Sequence, residues 1–389
     1  MSDWPAPSAL GALFRRALLL RVGLAVVLHA LSTDALFAPD QDTYHVFSSW
    51  LARYWSGDTL VYPWKLLEPG PKAYYYIGAG IYSVLGDWAL WPKLANSVVG
   101  ALTVLLVHDV AFRVSGNETI GLRAATFTAY FPSLVLWSVL NIRDCWVVLL
   151  IVLICRQALV LQERFALGPL LILAAAILAV IQFRDYIFFA VTCPVAVSFL
   201  VRHRRAHLAR NAVVGMLLAG LIIYADRAVS HSRRLRAMDL ETLDEIRKGT
   251  AVGGSKFEPS ADISTPVKAL VFLPKGLSYF LLAPFPWAVR NLRQAFTLPE
   301  MLAFYVLLPF VVRGILALVR YRLSSSLMVL LITLGLTLGY ALGEANAGTA
   351  YRHRAQVLSF YLIFAAVGLE QRRTKGAALA APQTMQPAA

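Results

Sequence analysis

About ten apolar runs, each near the roughly 20 residues needed to cross a hydrocarbon core, dominate this chain and leave it few folds to choose from. They occupy 10–32, 90–112, 122–141, 145–162, 165–183, 186–201, 211–229, 298–319, 325–343 and 355–370. A backbone in hydrocarbon must satisfy its own hydrogen bonds, so the runs read as helices and the chain as an all-α polytopic membrane protein. With 58% of its 389 residues hydrophobic and 15% charged, the chain lies outside the range of soluble domains. The run from Ala17 to Leu31, behind Arg15 and Arg16, has the charge and length of a signal peptide. No small-x-small cleavage site precedes the acids that follow, and it reads as an uncleaved first span.

Two further apolar stretches, 73–86 and 267–289, are short or interrupted by Pro274, Lys275, Gly276, Pro284 and Pro286. Charge decides how to count them. If both lie along the membrane surface, Arg15, Arg16, Arg113, Arg123, Arg156, Arg164, Arg202, Arg204, Arg205, Arg210, Arg313, Arg320, Arg322, Arg372, Arg373 and Lys375 share one side. By the positive-inside rule that side is the cytoplasm, and both termini lie within it. The loop 33–89, the turns at 141–144 and 184–186, the loop 230–297 and the segment 344–354 then share the outer face.

In the first outer loop, Thr43 to Trp55 spaces Tyr44, Phe47, Leu51 and Tyr54 as one side of an interfacial helix. In the fourth, Asp239 suits an N-cap. Leu240, Leu243 and Ile246 share a face, Asp244 stands four before Lys248, and Gly249 ends a short helix. The Gly-, Ser- and Pro-rich run 250–266 reads as a mobile loop, and 376–389 as a disordered tail.

The formal charge of +14 falls in clusters between apolar runs, which excludes a basic nucleic-acid-binding domain. Cys145, Cys155 and Cys193 lie in or beside spans without metal-ligand spacing. The segment GTAVGGSK at 249–256 has the wrong order for a phosphate loop, and the sequon at Asn117 falls on the inner side.

The polar groups left over gather on the outer face. Asp40 and Asp42 leave the first span behind Pro39 and just before Tyr44, a carboxylate pair on an apolar platform suited to general-base chemistry on a lipid-linked substrate. Arg143 and Asp144, and likewise Arg184 and Asp185, are neighbours at span ends. Adjacent helical residues point about 100° apart, so each can pair across spans or offer its arginine to a phosphate. Tyr351, Arg352, His353 and Arg354 lie in the densest polar cluster, which begins at Glu344; two arginines on the outer side run against the charge rule and point to an anionic ligand. Lys65, Lys72, Lys93 and Lys275 add basic groups near that interface.

The acidic stretch after the first span, the interfacial helix, the aromatic segment entered through Pro71-Lys72-Ala73-Tyr74-Tyr75-Tyr76, and Pro92-Lys93-Leu94-Ala95-Asn96 opening the next span resemble GT-C membrane glycosyltransferases. That superfamily includes protein O-mannosyltransferases and the lipid A aminoarabinose transferase. The resemblance covers roughly residues 10–230 in layout, including Phe131-Pro132. It implies a core of seven spans over 1–230, an outer loop with a short helix and an interfacial segment over 231–297, three C-terminal spans over 298–370 and a cytoplasmic tail over 371–389. It further implies an inverting transferase at the outer face of a bacterial inner membrane. The donor would be a polyprenyl-phosphate-linked sugar and the acceptor a glycan, lipid or protein. An aspartate of the first outer loop would be the base. Asp40 stands four before Tyr44, yet Gln41 replaces the family's second acid and Asp42 is shifted by one, leaving either aspartate open. Lys72 matches a donor-phosphate lysine by position, and Asp144 the outer acid after the third span. No cofactor is called for; Asp40 and Asp42 could take a divalent metal, though none is predicted. A polysaccharide polymerase or ligase, using the arginines and His353, and a carrier or flippase of lipid-linked sugars are the alternative readings.

The orientation has its own test. Single cysteines labelled with an impermeant thiol reagent from outside are expected to react over 33–72 and 250–265 and to stay protected over 202–210; the reverse pattern overturns the charge argument.

Overall fold

The computed structural model describes residues 9–58, 60, 72–201, 208–229, 240–251, 254–289 and 292–374. Lys65, Pro71, Arg202, Arg204, Arg205, Asp239, Lys375 and the tail 376–389 lie outside the described residues. Among the described residues the fold is helical and contains no strand, with a single β-bridge between Lys256 and Asn346.

The chain opens with α1 (Ala9–Ala30), the short α2 (Asp34–Phe37), α3 (Gln41–Trp55) and α4 (Ala73–Leu85). It continues through α5 (Leu90–Ser115), α6 (Glu118–Tyr130), α7 (Pro132–Leu136), α8 (Asp144–Glu163), α9 (Leu167–Phe183), α10 (Ile187–Val201) and α11 (Leu208–Val229). After α12 (Leu240–Thr250) and α13 (Pro266–Leu282), α14 (Leu292–Gly343) and α15 (Ala347–Thr374) complete it. Of these, α5, α8 and α14 combine the length and apolar character needed to cross a membrane, and α9, α10 and part of α11 are apolar but shorter. At about 1.5 Å per residue, the 52 residues of α14 exceed twice a hydrocarbon thickness. The backbone breaks helical geometry at Arg322, between the two apolar runs that the sequence separates.

The run 122–141 is not one helix, contrary to its reading as a span. Pro132 has no N–H to continue α6, and Phe131 before it is extended, so α6 stops at Tyr130. The carbonyls left open at this break are met from α1. Arg21 is fully buried and donates from Nη2 to the Thr128 carbonyl (3.2 Å), from Nη1 to the Ala129 carbonyl (2.9 Å) and from Nε to Ser138 Oγ (3.0 Å). Nothing in the sequence marks this arginine, which sits mid-run without any motif around it.

At the centre of the bundle lies α15, in which every residue from Arg354 to Gly368 is buried. Its approach to α14 depends on glycine: a Cβ on Gly314 would overlap the Phe364 carbonyl, and one on Gly368 the Phe310 carbonyl. Arg156 and Arg113 both pair with Asp109 (2.6 and 3.1 Å), and Arg123 pairs with Glu370 (2.9 Å), where α5, α8 and α15 approach their C-termini. The opposite end carries α3, α4 and the starts of α5, α8 and α15.

There, α3 buries Gln41, Tyr44, Ser48 and Leu51, whereas Tyr54 is exposed. Tyr44 meets Tyr74 and Tyr75 of α4 edge-on and tilted, at 5.1 and 5.3 Å. The stretch 254–266, expected to be mobile, is tied down instead. The Phe257 amide donates to the Ala345 carbonyl (2.9 Å), and Arg247, fully buried, donates to the carbonyls of Glu258 and Ala261. Asp244 pairs with Lys248 at 2.5 Å as the spacing requires, and α12 runs one residue beyond Gly249.

Gly314→Ala is expected to cost roughly 1–3 kcal/mol by overpacking. Gly339→Ala, at a position with open space around it, is expected to be neutral; thermal melting of the two purified variants checks the contrast.

Candidate functional site

Four segments far apart in sequence bring charged side chains to one place beside the start of α15. Asp40 stands at the N-cap position of α3, yet its carboxylate does not cap that helix. It accepts two hydrogen bonds from Arg352 Nη1, at 3.0 and 2.9 Å. The other edge of the same guanidinium, Nε and Nη2, donates to Asp144 Oδ2 at 2.8 and 2.5 Å. Asp144 opens α8, where the helix dipole favours a carboxylate, and it is completely buried. Its second oxygen accepts from Arg184 Nη2 at 2.8 Å. Each oxygen of this buried carboxylate is thus held by a different arginine, Arg184 from the α9–α10 turn and Arg352 from α15.

The chain of contacts continues through Arg184, whose Nη1 reaches Tyr186 Oη and His353 Nε2, both at 2.5 Å. His353 Nδ1 is bonded to Glu344, which also accepts from Thr349 Oγ1 at 2.6 Å. Burial pushes the Glu344 carboxyl up, but the His353 ring and the hydrogen bonds from His353 and Thr349 outweigh it and hold the group below the usual carboxylate range. Tyr340 stacks on the His353 ring at 5.1 Å, and Trp137 lies 5.9 Å from the Arg352 guanidinium. These aromatic walls fix both side chains.

Arg143 is placed differently. Its Nε is buried with no hydrogen-bond partner, although Asp144 is next to it in sequence. Tyr44 senses Arg143, Asp144, Arg352 and Asp40 together: burial pushes its hydroxyl up, with the arginines opposing. The expectation that these neighbours pair across spans therefore holds for Arg184, which takes Asp144 and not Asp185. Asp144 takes Arg184 and Arg352 in place of Arg143.

The remaining residues singled out from sequence sit outside this network. Arg354 donates to the carbonyls of Leu281 and Ala283 where α13 ends, and Tyr351 Oη donates to Glu300 at 2.7 Å. Lys72 stands half-buried at the start of α4. Asp42 turns to a separate polar cavity of about 200 Å³. One wall of that cavity is a buried ion pair between Asp34 and Lys93, with His29 Nδ1 3.2 Å from the ammonium. In the sequence Lys93 is one of several basic groups near the interface and Asp34 carries no motif, because a separation of 59 positions hides the pairing. Another acid just past the first span was the one available signal. Among the described residues no group of three His, Cys, Asp or Glu is arranged to hold a metal ion.

No protein-family model matches the chain, and no curated protein or solved structure matches it either.

Removing the central carboxylate alone leaves two buried guanidinium groups facing each other. Asp144→Ala is expected to cost roughly 3–5 kcal/mol, whereas Asp40→Asn, at a side chain 42% exposed, keeps an acceptor for Arg352 and leaves melting nearly unchanged. Thermal unfolding in detergent checks both.

Proposed function

We propose that the protein is an inverting glycosyltransferase that moves a sugar from a polyprenyl-phosphate donor to a glycan, lipid or protein acceptor. The reading places it in a GT-C-like frame of about ten spans, with both termini cytoplasmic and the site at the outer face of a bacterial inner membrane. One observation carries it: Asp40 is a partly exposed carboxylate at the rim of an otherwise buried network, aimed by an arginine that a second, buried carboxylate fixes.

In this reading Asp40 takes the proton of the acceptor hydroxyl as its oxygen attacks the anomeric carbon from the side opposite the phosphate. The bond from that carbon to the phosphate oxygen breaks, and its electron pair leaves with the polyprenyl phosphate. Arg184 and Arg352 already face carboxylates, so they orient the base more than they attract the donor. Arg143, with its unsatisfied buried Nε, is the cation suited to the departing phosphate, and Lys72 at the start of α4 is the second.

A polymerase or ligase is the second reading, favoured by the direct contact of Arg184 with His353. It comes second because both ring nitrogens of His353 are engaged, Nδ1 by Glu344 and Nε2 by Arg184.

Cells lacking the gene and complemented with variants supply the test, read by mass analysis of membrane glycans. Asp40→Asn is expected to lower product about 10²-fold or more in a folded, inserted protein, in line with loss of a general base. Normal product from the Asp40→Asn, Asp42→Asn double variant overturns the transferase mechanism. Loss of product with Arg352→Ala while the double variant stays active supports the polymerase or ligase. Movement of lipid-linked sugar without bond formation supports a carrier.

A further inference from the structure

The cavity into which Asp42 turns is not used by the proton transfer just described, and its walls have a chemistry of their own. Its volume of about 200 Å³ is room for one sugar ring. On one side Asp34 and Lys93 neutralise each other. Because the Lys93 ammonium can only donate, His29 Nδ1 accepts from it, which assigns the ring proton to Nε2 and leaves a neutral donor.

The side formed by α3 contributes Gln41 and Asp42. Gln41 lines the cavity and is only 5% exposed, and its Oε1 is buried with no hydrogen-bond partner. Leaving such an atom unpaired costs about 1–3 kcal/mol, so a buried glutamine there asks for a donor from outside the chain. Asp42 adds an exposed carboxylate at the rim, and Asn141, three residues before Asp144, closes the back.

With Asp34 offset by Lys93, Asp42 brings a further carboxylate to the rim of the lining. A phosphate or carboxylate is repelled there. Hydroxyl groups, which donate and accept at once, match the mixture of carboxylate, amide, imidazole and Ser32 hydroxyl. A hydrated cation matches the charge alone and leaves the donors at His29 and Ser32 unused.

We propose that this cavity is a subsite for one neutral sugar ring, held through its hydroxyls with Gln41 as the buried reader, and closed to carboxylated rings. The proposal deepens the transferase reading and rests on it for the presence of a sugar at this end of the molecule. Gln41 and Asp42 follow Asp40 directly along the chain at the start of α3, so the cavity and the base belong to the same helix start.

Saturation-transfer NMR on the full-length protein in lipid nanodiscs, with methyl glycosides of glucose, galactose and mannose and with methyl glucuronide, tests it. At least one neutral glycoside is expected to give ring-proton signals, and methyl glucuronide none. Gln41→Leu is expected to weaken the bound glycoside about tenfold while melting stays the same or rises, since an unpaired buried polar atom is removed. Asp42→Asn, at an exposed position that does not threaten folding, is expected to admit methyl glucuronide. Absence of signal from all neutral glycosides, equal binding of the glucuronide to the native protein, or unchanged affinity in Gln41→Leu overturns the proposal.

Two further arms separate the claims. Farnesyl phosphate carrying the bound sugar displaces the methyl glycoside if the ring is the donor's and leaves it in place if it is the acceptor's. Glycoside binding by a protein that transfers nothing sinks the transferase and keeps the subsite; transfer without glycoside binding does the reverse.

Discussion

The buried carboxylate of Asp144 is the constraint around which the rest of this end of the molecule is arranged. An ionised group without water is tolerable only when it is paired and fully hydrogen-bonded. Asp144 meets that demand by dividing its two oxygens between Arg184 and Arg352. Arg184 is buried and Arg352 half-buried in turn, so each takes further acceptors. Arg352 finds Asp40, while Arg184 finds Tyr186 and His353, and His353 finds Glu344. One desolvated charge thus fixes the relative placement of α3, α8, α15 and the α9–α10 turn. The partly exposed Asp40 is the end of that chain and the point where it meets solvent.

The apolar frame makes such a network possible by holding helix ends, and not helix middles, together. Pro132 interrupts α6, and the turns that follow deliver Trp137, Asn141 and Arg143 to the start of α8. Arg21 compensates the interruption from α1 by taking the freed carbonyls. The glycine contacts between α14 and α15 draw α15 into the centre, which sets the height at which Arg352 and His353 emerge. Phe257 and Arg247 then tie the 254–266 segment against the start of α15, so the side of the network nearest Glu344 is covered by ordered chain.

Much of this was legible in the residues. Charge parity groups Asp40, Asp42, Lys72, Arg143, Asp144, Arg184 and the stretch Tyr351 to Arg354 as candidates; the structure brings Asp40, Asp144, Arg184, Arg352 and His353 into one chain of contacts and leaves Asp42, Lys72, Arg143, Tyr351 and Arg354 outside it. It could not say who pairs with whom, because pairing depends on which helix ends share a level. Adjacent Arg143 and Asp144 do not pair, whereas Asp144 and Arg352, 208 residues apart, do. The same limit hid the Asp34–Lys93 pair and the role of Arg21, which are ordinary residues until another helix stands beside them. Composition also misleads over 254–266: glycine, serine and proline permit mobility, but partners from α12 and residues 344–347 hold this stretch.

The sequence by itself determined that the chain is helical and apolar, that a break falls around Arg322 between two apolar runs, and which charged residues have no place in hydrocarbon. These are properties of single residues and their neighbours, set by hydrogen-bond supply and the cost of desolvation. Only the tertiary structure decided that Asp40 and Asp42 part company, one joining the arginine network and the other turning to the cavity of Gln41 and Lys93. Two residues two positions apart at the start of a helix point in different directions. Which direction meets an arginine depends on α15, whose Arg352 lies more than three hundred residues further along the chain.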